Sequence, residues 1–326
     1  MKELNNNKTI VIAGFGSMGA FLYFLLRFYE PLIYTRRQNL GPYDVSFLYR
    51  GKKLLSNRVD KVKIIDSGIK KIDYLFLCSK SYDVKSYLES ILSTYQVDNL
   101  VLTQNGVFVE DEVTLVFNGN LYYLTFTTAM DFKDNELLIY NPYKSQAVLT
   151  VVGSSGIENK LMNFNLRWNN EYCFFSYSYS HLDVRFSKLI LNLVLNVVPA
   201  YFGGLPWEIF TSNYEAIELE RKLIVEIMDF MNKENIRFYN FRSYNLNYIS
   251  IFYKYSPFWL FKKIYSNPKI LRWLRDNREP SFYRDLVLNK TKTEVDYYLG
   301  WFKKFSGYHL PTVRKIYEEI KKISKG

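Results

Sequence analysis

An α/β domain built on a mostly parallel sheet, followed by an all-helical domain, is the architecture this sequence predicts. Three observations predict it. Short β-branched and apolar runs alternate with helical stretches through roughly the first 150 residues. A glycine-rich turn joins the first apolar run to the first helix. Past residue 180 the strand-like runs give way to long helical periodicities. The expected boundary divides the chain into 1–178 and 179–326.

The elements follow in order. Residues 9–13 form a short β-branched strand that ends in Gly14-Phe15-Gly16-Ser17-Met18-Gly19. Residues 20–28 are apolar with helical character, and Pro31 opens a second strand over 32–35. Strand, glycine turn, helix and strand make a βαβ unit. Further strands are expected at 74–78, 100–103 and 121–127, a hairpin around Lys133-Asp134-Asn135, and a strand at 147–152. The second domain reads as helices over 182–198, 215–232 and 290–305, the first two separated by Gly203-Gly204 and Pro206. No internal repeat and no low-complexity linker interrupts the chain.

Composition narrows the function classes. The 326 residues suffice for two domains, and 48% apolar with 23% charged residues is globular usage. The formal charge of +11 favours anionic partners. It is dispersed, with only short clusters such as Lys303-Lys304 and Lys321-Lys322, whereas nucleic-acid binders concentrate charge in a stripe. Small anionic ligands are therefore expected, and nucleic acid is not. Cys78 and Cys173 are too few for a disulfide framework or a metal site. Cys78 follows the apolar run 74–77 and reads as a buried core thiol. His181 and His309 stand apart, at surface or capping positions, so neither a histidine metal centre nor a Ser-His-Asp triad is expected. The polar start, Asn5-Asn6-Asn7, is unlike a signal peptide. The longest uncharged run, between Lys188 and Glu208, carries Asn192, Asn196, Pro199 and Gly203-Gly204, which argues against a membrane span. A cytoplasmic protein is the expectation.

The spacing Gly14-x-Gly16-x-x-Gly19, after a strand and into a helix, is the dinucleotide fingerprint in its required context. Gly14 permits the tight turn, Gly16 lets a pyrophosphate approach the backbone, and Gly19 lets helix and strand pack closely. The phosphates would rest on the helix N-terminus, where unpaired N–H groups favour anions. Phe15, Ser17 and Met18 complete the cofactor-binding turn. The first domain is thus expected to be a Rossmann-type dinucleotide-binding domain. A carboxylate at the end of the second strand would select NAD through the ribose hydroxyls. The chain has Tyr34-Thr35-Arg36-Arg37 there instead. Two guanidiniums suit a 2′-phosphate, so NADPH is expected, with Arg36 the favoured ligand and Arg37 the alternative.

A second signal lies in the helical half. Lys188, Asn192 and Asn196 are spaced i, i+4, i+8 in an otherwise aliphatic stretch, which puts all three on one helical face. A helix apolar nearly all round is expected to be buried, so one cation and two amides need partners or a cavity. Such a line fits a polar anionic ligand, or equally an interhelical hydrogen-bond network.

Together these residues resemble the ketopantoate reductase family over most of the chain and in the same order. The glycine turn resembles the family's cofactor turn. Ser79-Lys80-Ser81-Tyr82-Asp83 is similar to its lysine-containing segment, Gln104-Asn105-Gly106-Val107 to its Gln-Asn-Gly turn, and Lys188-x3-Asn192-x3-Asn196 to its catalytic-helix motif. Pro280-Ser281-Phe282-Tyr283-Arg284-Asp285 resembles its C-terminal serine motif, and the stretch from Thr293 and Glu294 to Gly300 its glutamate segment. The chain departs from the pattern at Leu205-Pro206-Trp207, where the family has an asparagine. It departs again at Val197-Val198 before Pro199, at Phe282 in place of methionine, and in a 281–294 interval one residue longer.

The resemblance implies roles. Lys188 would be the general acid at the keto oxygen. Asn192, Asn196 and Ser281 would bind substrate. Asn105 and Lys80 would lie near the nicotinamide ribose, and Glu294 would contact the cofactor or substrate end. The implied reaction is NADPH-dependent reduction of 2-dehydropantoate to pantoate, toward pantothenate, with no metal, in a monomer or homodimer. A related reductase of another branched 2-keto acid and a non-catalytic NADP-binding regulator are the competing readings; a regulator would need neither Lys188 nor Glu294.

Overall fold

Ile10, Val11, Ile12 and Ala13 are buried on both faces of the strand they form, β1 (Ile10–Ala13), which places it in the middle of a sheet. The computed structural model describes residues 8–36, 40–66, 68–153, 155–168, 171–275 and 279–324. Its contacts divide the chain into two units, one of Met1–Gln104 with Val109–His181, the other of Asn105–Phe108 with Leu182–Gly326.

In the first unit, β2 (Leu32–Tyr34), β3 (Tyr43–Tyr49), β4 (Lys52–Val59), β5 (Lys71–Leu77), β6 (Gln96–Leu102), β7 (Asn120–Phe126), β8 (Ala129–Lys133), β9 (Glu136–Tyr140), β10 (Gln146–Val151) and β11 (Phe174–Tyr177) join β1 in two sheets. The larger has the order β11-β10-β7-β6-β5-β1-β2, parallel except where β10 meets β7. β1 lies between β2 and β5 and runs parallel to both. The chain therefore winds one way from β1 to β2 and the other way to β5. The C-terminal end of β1 is the switch point at which open α/β sheets bind ligands. The smaller sheet has the order β4-β3-β9-β8.

Helix α1 (Ser17–Leu26) is buried all round from Gly19 to Leu26. The reason is that it packs on β1 and also against β8 and β9 of the second sheet, so both sides of the helix meet protein. Phe21 meets Phe126, and Phe24 meets Phe47, with ring centroids 5.9 Å apart in both pairs. The expected hairpin is present as β8–β9: Asp134 and Asn135 take the left-handed φ values, 51° and 58°, that a two-residue hairpin turn requires. The unit also contains α2 (Val84–Leu92), α3 (Glu110–Val113) and α4 (Ile157–Asn163).

The β3–β4 hairpin has no counterpart in the sequence reading. β4 is exposed along nearly its whole length and carries lysine, serine, asparagine and arginine, so it offers no apolar alternation to detect. It forms an edge, and its polar side chains suit that place.

The second unit is helical: α5 (His181–Leu193), α6 (Val197–Tyr201), α7 (Pro206–Ser212), α8 (Tyr214–Lys233), α9 (Leu246–Tyr255), α10 (Phe258–Tyr265), α11 (Pro268–Arg275), α12 (Ser281–Tyr283), α13 (Val295–Tyr298) and α14 (Pro311–Ile323). The long α8 is its axis. Ile217, Leu223, Ile224, Ile227, Met228 and Met231 form its buried face, against which α6, α7, α9, α10 and α14 pack. The helix expected over 215–232 is this element.

Two expected helices are corrected. The one placed at 182–198 ends at Leu193, turns through Leu195 at φ 60°, and restarts as α6. Pro199 explains the break: inside a continuous helix its ring would strike the carbonyl of residue 195, whereas in the first turn of a new helix its missing N–H costs nothing. The helix placed at 290–305 is irregular to Glu294, becomes the single turn α13, and continues from Gly300 as a 3₁₀ segment to Phe305. No described helix is long and apolar enough to cross a membrane.

Candidate active site

At the end of β1 the backbone folds as the glycine spacing requires. Gly14 has φ +100°, and its N–H donates to the Tyr34 carbonyl at 2.9 Å. A Cβ on Gly19 would lie 2.0 Å from the Gly14 carbonyl oxygen, so only glycine allows helix and turn to meet. Gly16 differs: a Cβ there would meet nothing within 4 Å, and the residue is exposed. It caps α1, whose start has neither a side-chain cap nor an acidic residue in its first turn. The first intrahelical bond runs from the Ala20 N–H to the Gly16 carbonyl at 2.9 Å, so the Ser17, Met18 and Gly19 N–H groups precede it. Ser17 and Met18 are half-buried, while Phe15 turns inward against Tyr23, Tyr43 and Phe132.

The neighbouring strand ends complete this face of the first unit. The β5 end carries Ser79, whose buried hydroxyl oxygen has no hydrogen-bond partner among the described residues, and the half-buried Lys80. Gln104 at the β6 end donates to the Leu77 carbonyl at 2.7 Å, and the Thr103 hydroxyl donates to the same oxygen at 2.9 Å. Beyond β2, Arg36 is exposed, its guanidinium 5.7 Å from the centroid of the Tyr87 ring. Tyr87 donates to the Tyr34 carbonyl at 3.0 Å and so fixes the end of that strand. Burial, then the neighbouring Tyr34, raises the Tyr87 phenol to about 12. Arg37 lies outside the described residues. Open space above Gly16, an uncapped helix start and an orphaned hydroxyl at Ser79 together fit a dinucleotide.

A polar cluster forms in the second unit from residues nearly 200 positions apart. The Asn192 amide donates to the Asn105 side-chain oxygen at 3.2 Å, and the Asn196 amide donates to the Asn192 carbonyl. The buried Arg185 guanidinium donates to the Gly106 carbonyl. Gly106 has φ +85°, and a Cβ there would lie 2.6 Å from Tyr297, so the Asn105-Gly106 turn sits tightly on α13. The Val107 N–H donates to the Tyr297 carbonyl at 2.9 Å. Glu294 precedes α13, is 7% exposed, and accepts the Tyr297 and Tyr298 N–H groups on its carbonyl. Ser281, the exposed first residue of α12, belongs to a turn that packs on α6, and Phe282 lies 5.7 Å from Tyr298, ring to ring. Lys188 is one turn before Asn192 on α5 and half-buried.

The stripe read from the sequence thus needs adjustment. Lys188 and Asn192 share a face of α5, but Asn196 follows the break and does not continue that face by helical repeat. Nor is the segment buried all round, since Leu191 and Val194 are half-buried like Lys188. The Asn196 side-chain oxygen is buried with no hydrogen-bond partner among the described residues, and so is the Thr293 hydroxyl oxygen beside Glu294. Arg185, Thr103, Ser79 and Gln104 were missed as site residues. Gln104 and Ser79 carried a sequence signal, through their places in the Gln-Asn-Gly turn and the lysine-containing segment.

Among the described residues no group of histidine, cysteine and acidic side chains could hold a metal. Burial raises the Cys78 thiol to about 12, although the Thr103 hydroxyl pulls it down, so it is no thiolate near neutrality. His181 begins α5 with Nε2 3.6 Å from Glu110 Oε1, and His309 is exposed.

Residues 10–140 match the ketopantoate reductase PanE/ApbA family, and residues 180–324 match the ketopantoate reductase PanE/ApbA C-terminal family. No curated protein sequence matches the chain. Similar solved structures include a D-mandelate dehydrogenase in a ternary structure with NADH and anilino(oxo)acetate, 16% identical, covering 97% of this chain and 98% of that one, TM-score 0.69. A dimeric ketopantoate reductase from Staphylococcus aureus is 14% identical, with 97% and 99% covered and a TM-score of 0.67. A 2-dehydropantoate 2-reductase from Geobacter metallireducens GS-15 is 14% identical, with 96% and 99% covered and a TM-score of 0.69. Identities this low speak to the fold.

Proposed function

Because the chain belongs to the ketopantoate reductase PanE/ApbA family and is an NAD(P)H-dependent oxidoreductase, we propose that it reduces 2-dehydropantoate to pantoate with NADPH, a step toward pantothenate. The observation that carries the reading is the joining of Asn105 to Asn192, one helical turn from Lys188.

NADPH, when bound, supplies the hydride. The chain's residues do the rest. The N–H groups at the start of α1 bind the pyrophosphate over the open backbone of Gly16. Arg36, with Arg37 the alternative, pairs with the 2′-phosphate, and Lys80 and Asn105 hold the nicotinamide ribose. Reduction of a 2-keto acid builds negative charge on the carbonyl oxygen; the Lys188 ammonium stabilises that charge and delivers the proton to that oxygen. Asn192, Asn196 and Ser281 orient the keto acid, and Glu294 closes the cofactor or substrate end. The protein acts as a monomer or homodimer.

A second reading, reduction of another 2-keto acid, is favoured by the likeness to D-mandelate dehydrogenase and by the missing asparagine at Leu205-Pro206-Trp207. Steady-state rates with NADPH and NADH, on 2-dehydropantoate and on a panel of branched and aryl 2-keto acids, decide between them. We expect 2-dehydropantoate to have the highest kcat/KM and NADPH to be preferred by about tenfold or more, with Arg36→Ala narrowing that gap. A higher kcat/KM on an aryl keto acid would replace the first reading with the second. Equal use of NADH by the wild type would remove the cofactor assignment.

A further inference from the structure

Glu220, on α8, is a carboxylate with no exposed surface. A buried carboxylate is expensive unless its oxygens are hydrogen-bonded. Here Oε2 accepts the Leu195 N–H at 2.9 Å, and Oε1 accepts the Tyr253 hydroxyl at 2.9 Å. Tyr253 in turn shares a hydrogen bond with the Tyr265 hydroxyl.

Leu195 is the left-handed residue at which α5 stops and α6 begins. The last α-helical bond of α5 runs from the Val194 N–H to the Ile190 carbonyl, and the Asn196 N–H turns back to the Leu193 carbonyl. The Leu195 N–H lies between them and goes to Glu220 instead. Pro199 forbids an unbroken helix but does not fix which residue reverses. The carboxylate does, by giving one particular N–H an acceptor off the helix axis.

From this we propose that Glu220 is a positioning residue: by holding Leu195 in the left-handed conformation, it sets Asn196 against Asn192 and so shapes the substrate-side amides. The inference rests on the reductase reading for its catalytic consequence, though not for its geometry. Without Glu220 the N–H loses this acceptor, Leu195 relaxes toward a right-handed conformation, and the Asn196 amide leaves the Asn192 carbonyl. Burial and the Glu220 charge both hold Tyr253 protonated, so the hydroxyl remains a donor to the carboxylate.

Two measurements test this on the full chain. The first is backbone deuterium uptake over residues 193–198 in wild type, Glu220→Met and Glu220→Gln, without ligand. Uptake should rise in the Met variant and stay near wild type in the Gln variant, whose amide oxygen still accepts from Leu195. Unchanged uptake in the Met variant overturns the proposal whatever the protein reduces. The second is kinetic, on the best keto acid of the panel. Glu220→Met should raise the keto-acid KM and lower kcat/KM by about 100-fold, with NADPH affinity by fluorescence titration within about twofold of wild type. Glu220→Gln should recover to within about tenfold. A purely stabilising role would lower the melting temperature and leave KM of the folded protein unchanged, which also overturns the proposal. Should the Met variant fail to fold, Glu220→Asp takes its place, one methylene too short to reach both partners. A wild type inert on every keto acid would sink the reductase reading, while the uptake result would still judge Glu220.

Discussion

Lys188 occupies a half-buried place on a helix whose next turn carries Asn192. An ammonium there can meet an anionic ligand without the full desolvation cost of a core lysine. If it stabilises the developing oxyanion, Lys188→Ala should fold normally and lose kcat by about 10²–10⁴-fold, with NADPH affinity retained. Stopped-flow and steady-state rates check this; near-wild-type turnover would remove the lysine from the mechanism. At this scale the sequence was most informative where chemistry demands a residue type at a fixed spacing, as with Gly14, Gly16 and Gly19. It was least informative for Arg185 and Glu220. Both are buried charges that bond to backbone atoms, the Gly106 carbonyl and the Leu195 N–H, and a backbone partner leaves no mark in a residue pattern.

The contact between α1 and the glycine turn is the tightest junction of elements described above, and Gly19 is what permits it. A methyl group at that position would meet the Gly14 carbonyl oxygen at 2.0 Å and push the helix from its strand. Gly19→Ala should therefore lower stability by about 1–3 kcal/mol and weaken NADPH binding, measurable by denaturant titration and fluorescence. Gly16→Ala, with open space around its Cβ, should spare stability and weaken only NADPH binding, where the methyl would meet the pyrophosphate. Elements proved legible in proportion to their internal regularity. α8 has twenty residues with a continuous apolar face, and it was read nearly to its ends. The α5–α6 break was not, because the aliphatic run continues through it and the reversal depends on Pro199 together with a carboxylate from another helix. The β3–β4 hairpin escaped because its edge strand is exposed and shows no apolar alternation.

Over the whole molecule, buried and half-buried weak acids set a limit on alkaline stability. Burial raises Cys78, Cys173, Tyr87 and Tyr122 each to about 12, from ordinary values of 9.0 for the thiols and 10.0 for the phenols. Below about pH 8 these groups are protonated in folded and unfolded chains alike, so they contribute no pH dependence. Above it the unfolded chain ionises first and gains free energy, so stability falls as pH rises toward 12. Melting curves should show Tm at pH 11 lower by about 10 °C or more than at pH 8, while a flat profile would mean that these groups are wetter than described. Asn105–Phe108 joins the second unit although both its flanks belong to the first, and no composition change in the sequence marks that tetrapeptide. A gene severed at codon 181 would consequently yield two fragments mismatched to the folding units. The C-terminal one would lack the tetrapeptide that Arg185, Asn192 and Tyr297 clasp, and the N-terminal one would carry it without its clasp.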